Sequence, residues 1–210
     1  MKPMSKAFYL VSFIGAMALL ILLSAFIVNL IYVVVDNTKT EDYAVLGLVL
    51  LGILSIVISI YLLVVTAIMI YKIWNAIEDN VTPIFPVLSI VFLIVPIVNF
   101  FWFLIVFPLY VNYYNKYVKR WKMNVKELNP GIFYTFPLFL VTYIVGIGVG
   151  EIFKFMPESS LQETIYLSFG LLGIFGFIAS FVVFIVIASK LCDAVNALPH
   201  VTGGTCSPPG

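Results

Sequence analysis

The chain has 210 residues, of which 63% are hydrophobic and only 10% charged, against about 45–50% apolar and about 25% charged in soluble proteins; an ordinary soluble globular domain is excluded. Eleven Lys and Arg against ten Asp and Glu leave a net charge of +1, which provides neither a nucleic-acid footprint nor an acidic disordered tail. Two cysteines, Cys192 and Cys206, and one histidine, His200, make neither a disulfide framework nor a zinc spacing, so free thiols facing a reducing compartment are expected.

A bilayer core of about 30 Å needs about 20 apolar residues of helix. The first stretch that meets this is 8–35, after Lys2 and Lys6. Its apolar run is roughly twice the length of a secretory h-region and lacks a small-residue cleavage site, so a retained signal anchor is expected. Asn29 is placed as a buried polar residue whose amide bonds across helices. The second span, 44–71, carries Gly52, Ser55, Ser59 and Thr66, small residues whose physical use is close helix approach.

The region 83–115 is apolar but punctuated by Pro83, Pro86, Pro96 and Pro108, with Asn99 near its middle. Proline removes a backbone donor and disfavours helix in the residue before it. One kinked span and two short helices turning near residues 95–100 compete, and loop charge decides between them because Lys and Arg in short loops stay cytoplasmic. With a hairpin, Lys2, Lys6, Lys72, Lys116, Lys119, Arg120, Lys122, Lys126 and Lys190 lie inside and Lys39 and Lys154 outside, nine to two. A single crossing splits the same cations four to seven. The hairpin is therefore expected, re-entrant or spanning, with both termini cytoplasmic. Each arm has about 15 residues, roughly 22 Å of helix, short for a crossing. Its non-helical tip needs protein or a water-filled cavity around it.

Residues 113–129 place Tyr114, Tyr117, Trp121, Val125 and Leu128 at helical spacing among Lys116, Lys119, Arg120, Lys122 and Lys126, which predicts a basic interfacial helix. Those five cations fit contact with anionic lipid, and topology determination explains them equally well. The last two spans are 132–156 and 165–191. Gly146 and Gly150 stripe the first, and Gly173, Gly176 and Ser180 the second. Glu151, near the outer end of 132–156, is spaced to pair with Lys154. The end of the second span, Lys72-Ile73-Trp74-Asn75-Ala76-Ile77, matches Lys190-Leu191-Cys192-Asp193-Ala194-Val195 in pattern, which suggests a parallel internal repeat. Residues 197–210 read as a flexible Gly/Pro-rich tail.

The segment 71–117 contains Trp74-Asn75-Ala76-Ile77, a Pro83 turn, and an apolar run ending in Pro96, Asn99 and Trp102. It resembles a pattern of uncharacterised bacterial multi-pass membrane proteins with a W-x-A-I element and a P-x-x-N-x-x-W box. Where that group often has a basic, Thr-rich turn and a Gly, this chain has Asn80-Val81-Thr82-Pro83. The resemblance implies a bacterial inner-membrane location and brings no activity with it.

The expected fold is all-α and integral to the membrane: four long helices as two hairpins, plus the Pro-broken short hairpin, in a single membrane domain over 1–210. No catalytic set, metal cluster or cofactor motif is recognised, and no nucleic-acid partner is expected. The sharpest polar feature is Asn99 with Pro96 and Trp102. It reads either as a cap on the returning helix or as a solute site at a helix break. A non-enzymatic structural or accessory protein is the leading expectation, its partners being membrane lipid and a membrane protein or second copy. A small transporter or channel built on the Pro96–Trp102 break is the alternative.

Overall fold

A computed structural model of the chain describes residues 3–36, 41–78, 86–153 and 160–199. Those residues form six α-helices and no strand: α1 (Lys6–Asp36), α2 (Glu41–Ala76), α3 (Pro86–Ile94), α4 (Pro96–Arg120), α5 (Gly131–Phe153) and α6 (Ser160–Asn196). Four of them, α1, α2, α5 and α6, are long and apolar enough to cross a membrane, and they coincide with the four expected spans. Helices apolar all round, without a polar face, suit a lipid environment. Both α2 and α6 run on to Ala76 and Asn196, past the ends expected at Tyr71 and Leu191. Lys72 and Lys190 do not stop them, because lysine is a good helix former that carries its charge outward on a long stem.

The chain divides into two compact units. The first, Ser5–Ile70, holds α1 and most of α2. Within it, Ser12 Oγ and Tyr61 Oη share a hydrogen bond of 2.8 Å between the two helices. Much of α2 is bare: Leu50, Ile53, Ile56 and Ile60 are all exposed.

The second unit comprises Met1–Met4 and Tyr71–Gly210. Within it, α3 folds back on α4 at Val95. The Phe92 and Trp102 rings meet edge to face at 5.0 Å, whereas ten residues of one continuous helix would span about 15 Å. The arms are unequal, nine and 25 residues, because α4 continues through Pro108 to Arg120. Helices α5 and α6 pack antiparallel and very close. A Cβ on Gly146 would lie 2.6 Å from Gly173 Cα, and one on Gly176 would lie 2.5 Å from the Tyr143 backbone nitrogen.

The aromatic core of this unit gathers where α2, α4 and α6 end and α5 begins. Trp74 meets Tyr110 edge to face at 5.5 Å. Phe107 contacts Phe136 at 5.5 Å and Phe184 at 5.8 Å, and Tyr114 Oη donates to the Ala194 carbonyl at 3.3 Å. The two similar segments share a burial pattern as well as a sequence pattern. Ile73, Trp74, Ala76 and Ile77 are buried, as are Leu191, Cys192, Ala194 and Val195, whereas Lys190 and Asp193 are exposed and Lys72 and Asn75 half-exposed.

Candidate functional site

The helix break is one residue long. Pro96 is the first residue of α4, where its missing N–H costs nothing, and it pushes Val95 out of the helical region to φ −78°, ψ 112°. Val95 is the N-cap and contributes no side-chain capping bond. Asn99 stands four positions later, inside the first turn of α4, so it does not occupy the cap position expected for it; the proline fixes the helix start earlier. The side chains of Pro96 and Asn99 lie outside the described residues. Trp102 is buried against Phe92. Its indole Nε1 and the Ser89 hydroxyl on α3 are buried and have no hydrogen-bond partner among the described residues.

Asn29 is exposed on α1 and donates to the Ala25 carbonyl one turn back at 2.8 Å. The expected buried amide bonding across helices is thus an outward-facing one satisfied by its own helix, as short polar side chains readily are.

The basic segment departs further from expectation. The helix expected over 113–129 ends at Arg120, and a pinned turn of residues 121–130 follows. Lys122 adopts a left-handed conformation with φ 46°. Met123 N–H donates to the Val118 carbonyl at 3.1 Å and Lys122 N–H to Lys119 at 3.2 Å, the paired bonds of a Schellman terminus. Asn115 then grips the far side of the turn. Its Nδ2 donates to the Leu128 carbonyl and its Oδ1 accepts from Leu128 N–H, both at 2.9 Å. Asn129 Oδ1 accepts from Gly131 N–H at 2.9 Å, satisfying one of the free donors that open α5. Of the five cations, Lys119 pairs with Glu127 at 3.1 Å, and Lys116 lies 5.7 Å from the centre of the Tyr113 ring. Arg120, Lys122 and Lys126 are exposed.

A second asparagine repeats the grip. Asn196, the last residue of α6, accepts from Met4 N–H at 2.7 Å and donates to the Met4 carbonyl at 2.8 Å. Neither asparagine is singled out by sequence reasoning. Each partner is a backbone peptide, which any residue supplies, so no partner type marks the pair. The only signal is an amide near the end of a long helix.

Among the described residues, no group of three His, Cys, Asp or Glu side chains stands where it could hold a metal. Cys192 is buried and makes no disulfide. Lys2, Lys39, Lys154, His200 and Cys206 lie outside the described residues, and with them the expected Glu151–Lys154 pair. No protein-family model, no curated protein and no solved structure matches this chain.

Proposed function

We propose that this is a non-enzymatic, multi-pass protein of a bacterial inner membrane that works by interaction, with both termini cytoplasmic and the α3–α4 hairpin set into the cytoplasmic side. The observation that carries the interaction reading is an apolar contact between the two arms of the hairpin. Trp102 closes edge to face onto Phe92, the kind of ring contact a packed hairpin makes. The resemblance of Trp74, Ala76, Ile77, Pro83, Pro96, Asn99 and Trp102 to bacterial multi-pass membrane proteins supports the location. Close to the chain's two ends, Asn196 holds Met4, which favours both termini on one side. Trp74 lies 6.0 Å from Tyr113, which favours Lys72 and Lys116 on that side too. Single cysteines replacing Lys72 and Lys116, in a chain with Cys192 and Cys206 replaced by Ala, should label from the same side of the membrane. Labelling from opposite sides overturns the hairpin topology.

The second reading is a small transporter or channel at the Pro96–Trp102 break. It is favoured by Ser89 and Trp102, two buried polar groups without partners among the described residues on the facing arms. Buried polar groups left unpaired are costly unless something meets them. A cysteine at position 99 discriminates without any known substrate. Protection from a membrane-impermeant thiol reagent supports the filled hairpin. Rapid modification from the aqueous side supports the solute path and overturns the interaction reading.

A further inference from the structure

We propose that the turn between α4 and α5 is a headgroup site for an anionic phospholipid, selected by the fixed shape of the turn as well as by its charge. The inference rests on the reading that this turn lies at the membrane surface. Between residues 116 and 127 stand five cations and one carboxylate, Glu127. Setting the orientation of α5 requires only that such charges be nearby; it requires no particular backbone. Here the backbone is held at three points: the left-handed residue Lys122, the two-bond grip of Asn115 on Leu128 and the Lys119–Glu127 ion pair.

Fixing the turn also sorts its cations. Glu127 engages Lys119 and the Tyr113 ring receives Lys116, while the exposed Lys122 and Lys126 remain on the pinned turn as cations for an outside anion. Trp121, half-buried at the same place, has an indole Nε1 with no partner among the described residues. An amphipathic indole suits the headgroup level. Only residues 121–130 separate α4 from α5, and α5 is long and apolar enough to span. That keeps the cations within reach of the negative surface potential of the cytoplasmic leaflet, which decays over a Debye length. A phosphodiester offers what the two exposed lysines need: one negative charge and oxygen acceptors for ammonium donors.

The test uses the full chain in nanodiscs of phosphatidylcholine with or without phosphatidylglycerol, with retained lipid counted by native mass spectrometry. The wild type should retain phosphatidylglycerol in preference to phosphatidylcholine. The double variant Lys122→Gln with Lys126→Gln should lose that preference by roughly 10- to 30-fold, from the contribution of each basic residue near an anionic surface. Asn115→Ala, which frees the turn and keeps every charge, should lower retention as well. Unchanged retention in the double variant overturns the site, and it remains decisive if Asn115→Ala does not fold. Full retention in a folded Asn115→Ala protein overturns selection by shape. Displacement of the lipid by inorganic phosphate overturns the assignment to a lipid headgroup. Because both leaflets of a nanodisc have the same composition, these results do not depend on topology. The labelling at positions 72 and 116 judges that reading separately.

Discussion

Small residues stripe α2 as they stripe α5 and α6, yet the two regions use them in opposite ways. On α5 and α6 the stripes face one another, and Gly146, Gly173 and Gly176 let the two backbones touch. On α2 a Cβ at Gly52 would meet nothing within 4 Å. Ser55 and Ser59 return their hydroxyls to carbonyls of their own helix at 2.9 and 2.8 Å. In lipid no hydrophobic force draws helices together, so close packing depends on complementary surfaces. A stripe becomes an interface only where a matching stripe arrives in register. The second unit also carries two asparagine grips on backbone peptides, and in the first Ser12 and Tyr61 share a side-chain hydrogen bond.

The comparison breaks most easily at the glycines. Gly146→Ala and Gly176→Ala each force a methyl group into backbone atoms that cannot swing aside, so α5 and α6 must part. The expected cost is about 1–3 kcal/mol, visible as a lower unfolding temperature in detergent. Gly52→Ala has open space and gains helix propensity of up to about 1 kcal/mol, so it should be neutral or stabilising. A loss at Gly52 as large as at Gly176 would mean that this face of α2 packs against another chain, and the contrast between the two regions would fail.

The spans were legible because twenty apolar residues in a row admit few alternatives, and the helix break was legible because Pro96 restricts Val95 on local grounds. The details that depend on a partner were not. The place of Asn29 in an apolar run suggests burial, but that run carries no period to say which side faces out. Of the two readings of Asn99, the cap follows from how well Asn caps a helix, but Pro96 starts the helix before it. The helix read over 113–129 has the right spacing throughout, and nothing in Trp121-Lys122-Met123 announces a left-handed residue where glycine would be usual. The glycine stripes of α5, α6 and α2 look alike in sequence, since register between helices is a property of the fold.

The asparagine grips are the next point of attack. Each closes two hydrogen bonds, and at about 0.5–1.5 kcal/mol per bond Asn115→Ala and Asn196→Ala should each cost about 1–3 kcal/mol. Hydrogen exchange localises the loss: the Leu128 amide should lose protection in the first variant and the Met4 amide in the second. Equal loosening at both amides in either variant would show that the grips are coupled and not local.

A smaller effect of opposite sign is expected at Lys122. A left-handed conformation costs a residue with a Cβ about 1 kcal/mol that glycine does not incur. Lys122→Gly should therefore stabilise the fold by up to about 1 kcal/mol, offset in part by the freer unfolded chain. Stabilisation combined with weaker retention of phosphatidylglycerol would separate the shape of the turn from the charge it carries. A destabilised glycine variant would mean that the lysine side chain itself holds the turn.

The smallest effect belongs to the loosely joined helices. Ser12 and Tyr61 share one hydrogen bond of 2.8 Å, and Tyr61 remains exposed. Hydrogen bonds between membrane helices average about 0.6 kcal/mol, because the unpaired groups find other partners in the unfolded reference state. Ser12→Ala and Tyr61→Phe should each cost about that much, and the double variant should cost no more than either alone, since both remove the same bond. Thermal unfolding of the four proteins in one detergent measures the cycle. Additive losses would show that the two hydroxyls act on other groups. A coupling well above 1 kcal/mol would show that α1 and α2 depend on this bond far more than an average hydrogen bond between membrane helices allows, which would bring the Ser5–Ile70 unit closer in character to the α5–α6 pair.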